Sequence, residues 1–172
     1  MEDALRHARR WIGHRPESSR ILALVRAAYR LAFLALQFYW LVVRPTERSS
    51  QLVVVAGGEV LLVRHSYRER STWTIPGGRV KGGEDFRATA TREAAEELCL
   101  HVPALDELLT YRATRNRKHD EIGVLVTELP SKPGLVLDRV ELLEARWWRR
   151  DDLPASLSEE AKRALGELAR TR

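Results

Sequence analysis

The 172-residue chain has almost no cysteine: Cys99 is the only one. No intramolecular disulfide can form, which suits a reducing compartment and leaves packing to hold the fold. Long uninterrupted apolar runs are also missing. Residues 21–43 are rich in leucine, alanine and aromatics, yet Arg26, Arg30 and Gln37 break them up. A spanning helix needs about 20 mostly apolar residues, and each central arginine costs about 2.5–3.5 kcal/mol on insertion scales, so these residues argue against a simple span. No small-residue cleavage site follows the apolar stretch, which argues against a cleaved signal peptide. Internal repeats and low-complexity tracts are absent. Most of the chain also lacks a charge excess. The net charge of +5 is carried by residues 1–48, with nine arginines against four acidic residues, while the remainder is balanced at 20 of each sign. Such a basic segment could contact anionic lipid, nucleic acid or an acidic partner, or only keep the surface solvated, and no specific nucleic-acid binding is expected.

In that segment, Arg26, Arg30, Gln37 and Arg44 are spaced 4, 7 and 7 apart, which places them on one narrow stripe of a helix. Residues 1–49 are thus expected to form a basic amphipathic helical extension, and residues 50–172 the main domain. The helix would pack on its own domain, meet a second copy as a homodimer, or make peripheral membrane contact through residues 20–44. The single cysteine points to a cytoplasmic location, and the helix leaves membrane association open.

From Gln51 the pattern changes to strands. Residues 52–56 and 60–65 flank Gly57-Gly58, a tight hairpin turn. Residues 73–75 form a short strand that breaks at Pro76-Gly77-Gly78. Further strands are expected at 105–114, 122–129 and 142–149, the last with Trp147 and Trp148 on opposite sides, one in the core and the other half exposed. Ser158 caps a closing helix that carries Glu159 and Glu160 in its first turn and Ala161, Leu165 and Leu168 on its inner face. Strands, one central helix and a closing helix make a mixed α/β sandwich.

The central helix carries the chemistry. Residues 78–100 read GRVKGGEDFRATATREAAEELCL. Five residues separate Gly78 from Glu84, and seven more precede Arg92-Glu93. Two small apolar residues then lead to Glu96-Glu97. On a helix, Glu93, Glu96 and Glu97 fall within about 100° of arc, beside a stripe of Ala88, Ala90, Ala94, Ala95 and Leu98 suited to packing on a sheet. Like charges at this spacing repel, and Arg92, four residues before Glu96, offsets only part of that. An isolated run of this kind is most often a solvated helix face. Here a glycine-rich approach precedes it, and glycines let the backbone come close to a ligand. A divalent cation is the natural partner for such carboxylates.

The full pattern resembles the signature of the Nudix hydrolases. Gly78, Glu84, Arg92, Glu93, Ala94, Glu96, Glu97 and Leu100 match it, and Cys99 stands where the family has glycine. That glycine ends the helix in a left-handed conformation, so a cysteine there costs about 1 kcal/mol. The resemblance implies an α/β/α sandwich around a mixed β-sheet and a hydrolase that cleaves a nucleoside diphosphate linked to another moiety. It implies Mg²⁺ or Mn²⁺ held by Glu93, Glu96, Glu97 and the Gly77 carbonyl. Glu84 would support the site, Arg92 would orient the carboxylates, and Glu93 would act as general base. The other class of function open to such a fold is a ligand-sensing or protein-binding module without turnover.

Several further residues are candidates on their chemistry. Arg115, Arg117, Lys118 and His119 form a basic loop that could hold substrate phosphates or simply be a solvated hairpin tip. Glu141 or Glu144 could add a metal ligand or base. His65 and Tyr67 could flank the substrate pocket. Cys99 lies beside an acidic helix, which raises a thiol's pKa and speaks against a nucleophile.

Overall fold

The computed structural model describes residues 19–43, 46–69, 71–115 and 118–171. The elements run α1 (Ser19–Val43), β1 (Thr46–Ala56), β2 (Glu59–His65), β3 (Gly77–Arg79), α2 (Phe86–Leu98), β4 (Asp106–Arg115), β5 (Lys118–Leu129), β6 (Leu142–Arg149) and α3 (Glu159–Thr171). The strands form one sheet in the order β4-β5-β1-β2-β6, with β3 pairing β1 beside β2. β1 and β5 run parallel over their whole overlap, from Thr46↔His119 to Ala56↔Leu129, and all other pairs are antiparallel.

β1 lies in the middle of this mixed sheet and reads as an unbroken apolar run. Leu52, Val53, Val54, Val55 and Ala56 are all buried, as expected of a strand covered on both faces. Its alternate residues feed two cores. Leu52, Val54 and Ala56 pack with Ala90, Ala94 and Leu98 of α2. Val53 and Val55 pack with Ala161, Ala164, Leu165 and Leu168 of α3. The layers are helix, sheet, helix.

The expected elements are present, with instructive differences. β1 begins at Thr46, six residues before its apolar run, because parallel pairing with β5 and antiparallel pairing with β3 satisfy its polar first half. Residues 73–75 form only isolated bridges, Val63↔Thr74 and Trp73↔Leu157. The glycine bend itself is the paired segment, with Gln51↔Gly77 and Ser50↔Gly78. Trp147 and Trp148 are both half buried, one against each core. Ser158 caps α3 as expected, accepting from the Ala161 N–H at 3.1 Å.

Among the described residues no helix is long and apolar enough to cross a membrane. α1 packs on its own domain. Arg26 donates to the Arg139 carbonyl at 2.9 and 3.2 Å, and Arg30 to the Ser66 carbonyl at 3.2 Å. Two members of the polar stripe thus face the protein. Leu24, Leu31, Leu34 and Phe38 face outward, each more than half exposed. Arg44 and the side chain of Gln37 lie outside the described residues.

Candidate active site

α2 starts cleanly because the Asp85 carboxylate accepts from the Ala88 N–H at 2.7 Å, filling one of the orphan donors of the first turn. It ends at Cys99, whose φ of 50° and ψ of 34° are left-handed; among the described residues this is the only non-glycine with positive φ. The Leu100 N–H reaches back to the Ala94 carbonyl at 3.0 Å, a bond that closes the helix end. The carbonyls of Glu97 and Leu98 accept from Asp138 and Val136 at 2.9 and 3.1 Å. Those bonds clamp the segment before β6 onto the helix and bring Glu141 to the site.

The buried face of α2 is Thr89, Ala90, Ala94, Glu97 and Leu98. Ala88 and Ala95, expected on the packing stripe, are exposed. A carboxylate takes a place on that stripe instead: Glu97 is 2% exposed.

Arg92 organises the rest. Its guanidinium donates to both oxygens of Glu84, from Nε at 2.8 Å and Nη2 at 3.0 Å. Nη1 reaches Glu93 at 2.6 Å and Glu96 at 3.0 Å, and Nη2 reaches the Arg79 carbonyl at 3.1 Å. Glu84 also accepts from the Thr89 hydroxyl at 2.9 Å and the Lys81 N–H at 3.1 Å. This forked binding by Arg92, helped by the Lys81 and Thr89 bonds, pulls the Glu84 carboxyl down to about 2. Its bonds to Glu84, Glu93 and Glu96 raise Arg92 above its ordinary value.

The glycine bend fits tightly against these carboxylates. A Cβ on Gly78 would stand 2.1 Å from Glu93 Oε1, and one on Gly77 would stand 2.3 Å from the Ser50 carbonyl oxygen. The Gly77 backbone amide, close to Glu97, opposes part of the rise in that carboxyl's pKa. Only glycine allows the backbone to come this close.

Three carboxylates are held above the usual range. Burial raises Glu93, with Glu96 adding to it and Arg92 opposing. Burial raises Glu97 strongly, helped by the charges of Glu93 and Glu141. Burial raises Glu141, with Asp138, Glu93 and Glu96 contributing. Glu97 Oε2 is buried without a hydrogen-bond partner among the described residues. His65 Nδ1 lies 3.9 Å from Glu97 Oε1. This is not an ion pair, because burial, reinforced by the charge of Arg68, lowers His65 to about 3 and keeps it neutral. Burial raises the Tyr67 hydroxyl as well.

His65, Tyr67 and Glu141 line a cavity of about 390 Å³ together with Gly77, Gly78 and Arg68, among others; Glu93, Glu96 and Glu97 are not in its lining. A larger groove of about 600 Å³ between β4 and α3 contains none of the motif residues. The structure thus brings together Gly77, Glu84, Arg92, Glu93, Glu96 and Glu97, and adds Glu141, His65 and Tyr67. Glu144 is elsewhere, paired with Arg64 across β2 and β6. Arg117 and the side chains of Arg115, Lys118 and His119 lie outside the described residues. Arg68 was not anticipated from the sequence. It stands in an irregular loop after β2, where no periodicity marks it.

A metal ion would suit this donor set. An orphaned buried carboxylate oxygen, with two further raised carboxylates close by, lacks positive charge. As the side chains stand, Arg92 holds Glu93 and Glu96, and no three acidic, histidine or cysteine groups among the described residues gather closely enough to bind an ion.

Comparison with known proteins agrees with this geometry. Residues 46–168 match the family model described as NUDIX domain. The chain is 29% identical over 99 residues to the NAD-capped RNA hydrolase NudC of Erwinia tasmaniensis, covering 57% of this chain and 36% of that protein. It is 31% identical over 115 residues to the 8-oxo-dGDP phosphatase NUDT18 of Homo sapiens, covering 64% and 34%. The chain thus spans about a third of the length of each of these relatives. The crystal structure of the MutT NUDIX hydrolase from Burkholderia pseudomallei shares the fold, with a TM-score of 0.66, 21% identity, and coverage of 72% of this chain and 98% of that one. The protein belongs to the Nudix family.

Proposed function

We propose that this protein is a metal-dependent hydrolase that cleaves the diphosphate linkage of a nucleoside diphosphate joined to another moiety. The observation that carries the reading is Glu97, a buried carboxylate with an unpartnered oxygen, set against Glu93, Glu141 and the glycine bend. Residues 50–172 would be the hydrolase domain and 1–49 its extension.

Glu93, Glu97 and the Gly77 carbonyl would hold Mg²⁺ or Mn²⁺, with Glu96 and Glu141 assisting. When bound, such an ion neutralises diphosphate charge and acidifies the attacking water. The chain's own residues supply the rest. Arg92 and Glu84 form a rigid brace that fixes Glu93. Glu93 would take the proton from the water. Arg68, which lines the cavity, neutralises phosphate oxygens. Phosphate release from a nucleotide panel tests the reading. Turnover in Mg²⁺ that disappears in EDTA supports it, and no turnover of any diphosphate with either ion overturns it.

The reading extends to partners and place. The outward face of α1, with Leu24, Leu31, Leu34 and Phe38, offers an apolar surface for a second copy or for the membrane interface. The enzyme would work in the cytoplasm, free or at the membrane. Analytical ultracentrifugation and vesicle co-sedimentation separate these partners.

A further inference from the structure

Helix α1 lies outside residues 46–168, the part of the chain that matches the family. It nevertheless lines the site. Ala32, Phe33 and Leu36 border the same 390 Å³ cavity as Gly77 and Glu141. The helix is fastened to both loops that frame this cavity. Arg30 binds the Ser66 carbonyl, and Arg26 binds the Arg139 carbonyl. Those two loops are themselves joined, because the Ser66 N–H donates to the Glu141 carbonyl at 2.7 Å. Rings continue inward from the helix. Phe33 meets Tyr67 at 5.4 Å between centroids, and Tyr67 meets His65 at 5.0 Å. The row ends beside Glu97.

Apart from Ile75, the side chains lining the rest of the cavity are polar. β1 contributes Ser49 and Gln51, and β5 contributes Asp120, which is 5% exposed. Gln51 Oε1 is buried and accepts no hydrogen bond among the described residues. A buried acceptor left in that state is costly, so its natural complement is a donor brought by a ligand. An alkyl chain would suit Phe33 and Leu36 but would leave the Gln51 Oε1 acceptor facing hydrocarbon. A planar heteroaromatic ring suits both walls, stacking on rings with its face and donating N–H groups from its edge.

From this we infer that α1 roofs a base-binding subsite, in which Phe33 and Tyr67 pack on the nucleobase and Gln51 accepts from its amino group. The inference rests on the proposed hydrolysis of a nucleoside diphosphate only for the placement of the phosphates. The subsite would favour adenine, guanine or cytosine, which carry exocyclic amines, over uracil, which does not. The extension then acts as a specificity element of the active site.

Binding of nucleoside 5′-monophosphates tests this without turnover, because they contain no diphosphate linkage. Titration calorimetry on the full chain in Mg²⁺ should show AMP, GMP or CMP binding about 10-fold or more tightly than ribose 5-phosphate, with CMP ahead of UMP. Phe33→Ala should remove about 10-fold of that affinity and leave ribose 5-phosphate unchanged, while Phe33→Tyr should retain it. Gln51→Met should abolish the preference for CMP over UMP, and this variant decides the matter if Phe33→Ala unfolds the helix. Nucleotides binding no better than ribose 5-phosphate would overturn the inference. So would a folded Phe33→Ala protein with unchanged affinities, or geranyl monophosphate binding more tightly than every nucleotide. Base-dependent binding without hydrolysis would refute the proposed function alone, whereas hydrolysis with base-independent binding would refute this inference alone.

Discussion

Arg92 holds both oxygens of Glu84, at 2.8 and 3.0 Å, and with the same guanidinium reaches Glu93 at 2.6 Å. One planar cation therefore sets the position of two carboxylates eight and one residues away. Lysine cannot reproduce this fork, because its ammonium is a single point of charge. Arg92→Lys should lower kcat/KM by about 10- to 100-fold, the usual range for residues that orient metal ligands. The loss should appear also as weaker Mg²⁺ affinity in titration calorimetry. Unchanged affinity and turnover would show that the brace is dispensable.

Gly78 offers a second test of positioning. The Cβ of Gly78→Ala would stand 2.1 Å from Glu93 Oε1, so the carboxylate must move by an ångström or more. Displacements of that size cost about 100-fold in rate when they reach reacting groups. The Gly78 backbone lies outside the left-handed region, so alanine is not strained there and the melting temperature should change little. Circular dichroism melting beside steady-state kinetics separates the two effects.

The buried carboxylates make stability depend on both pH and metal. Glu93, Glu97 and Glu141 bind protons more strongly in the folded protein than in the unfolded chain. In EDTA their contribution falls as pH rises above about 4.5, because folding must then keep protons that the unfolded chain has lost. Mg²⁺ should reverse this at pH 7.5. At ten times its dissociation constant it should stabilise by about 1.4 kcal/mol, or some 3 °C in melting temperature. The gain should shrink toward pH 5, where protons compete for the same oxygens. Scanning fluorimetry with and without Mg²⁺ at the two pH values checks it.

His65 has the opposite sign. Its folded value is about 3, below the unfolded 6.5, so the unfolded chain gains a proton first as pH falls. Its effect on stability is absent above about pH 6.5 and grows as a loss from there toward pH 3. The imidazole NMR shifts of His65 should stay those of the neutral ring down to pH 5. A midpoint near 6.5 would place the ring in water rather than beside Glu97.

Cys99→Gly should leave activity intact. The left-handed backbone at φ 50° costs a cysteine about 1 kcal/mol, and glycine's added freedom in the unfolded chain offsets part of that relief. A gain of a few tenths of a kcal/mol is expected by chemical denaturation, whereas Cys99→Ala, which keeps the strain, should show none.

Much of this was legible in the sequence because the signals were local. The spacing of Gly78, Glu84, Arg92, Glu93, Glu96 and Glu97 placed the helix and its carboxylates, and the Nudix resemblance supplied the layers. The apolar run of β1 and the Ser158 cap were equally plain. What the sequence hid depends on tertiary neighbours. Glu97 looks like its exposed neighbour Glu96 in the chain, yet one is buried and the other faces solvent, since only one shares the angle of Ala90 and Ala94. Glu141 and Glu144 were equivalent until the sheet register paired Glu144 with Arg64 and the 136–141 loop carried Glu141 to α2. Arg26 and Arg30 read only as members of one narrow polar stripe, because nothing local announces two carbonyls waiting in distant loops.

The most direct test of the hydrolase reading is Glu97→Gln, assayed on the best diphosphate substrate with saturating Mg²⁺. This change keeps the shape of the side chain and removes the charge. We predict a folded protein whose kcat falls at least about 100-fold and whose Mg²⁺ affinity drops with it. Turnover equal to that of the unaltered chain would contradict the account.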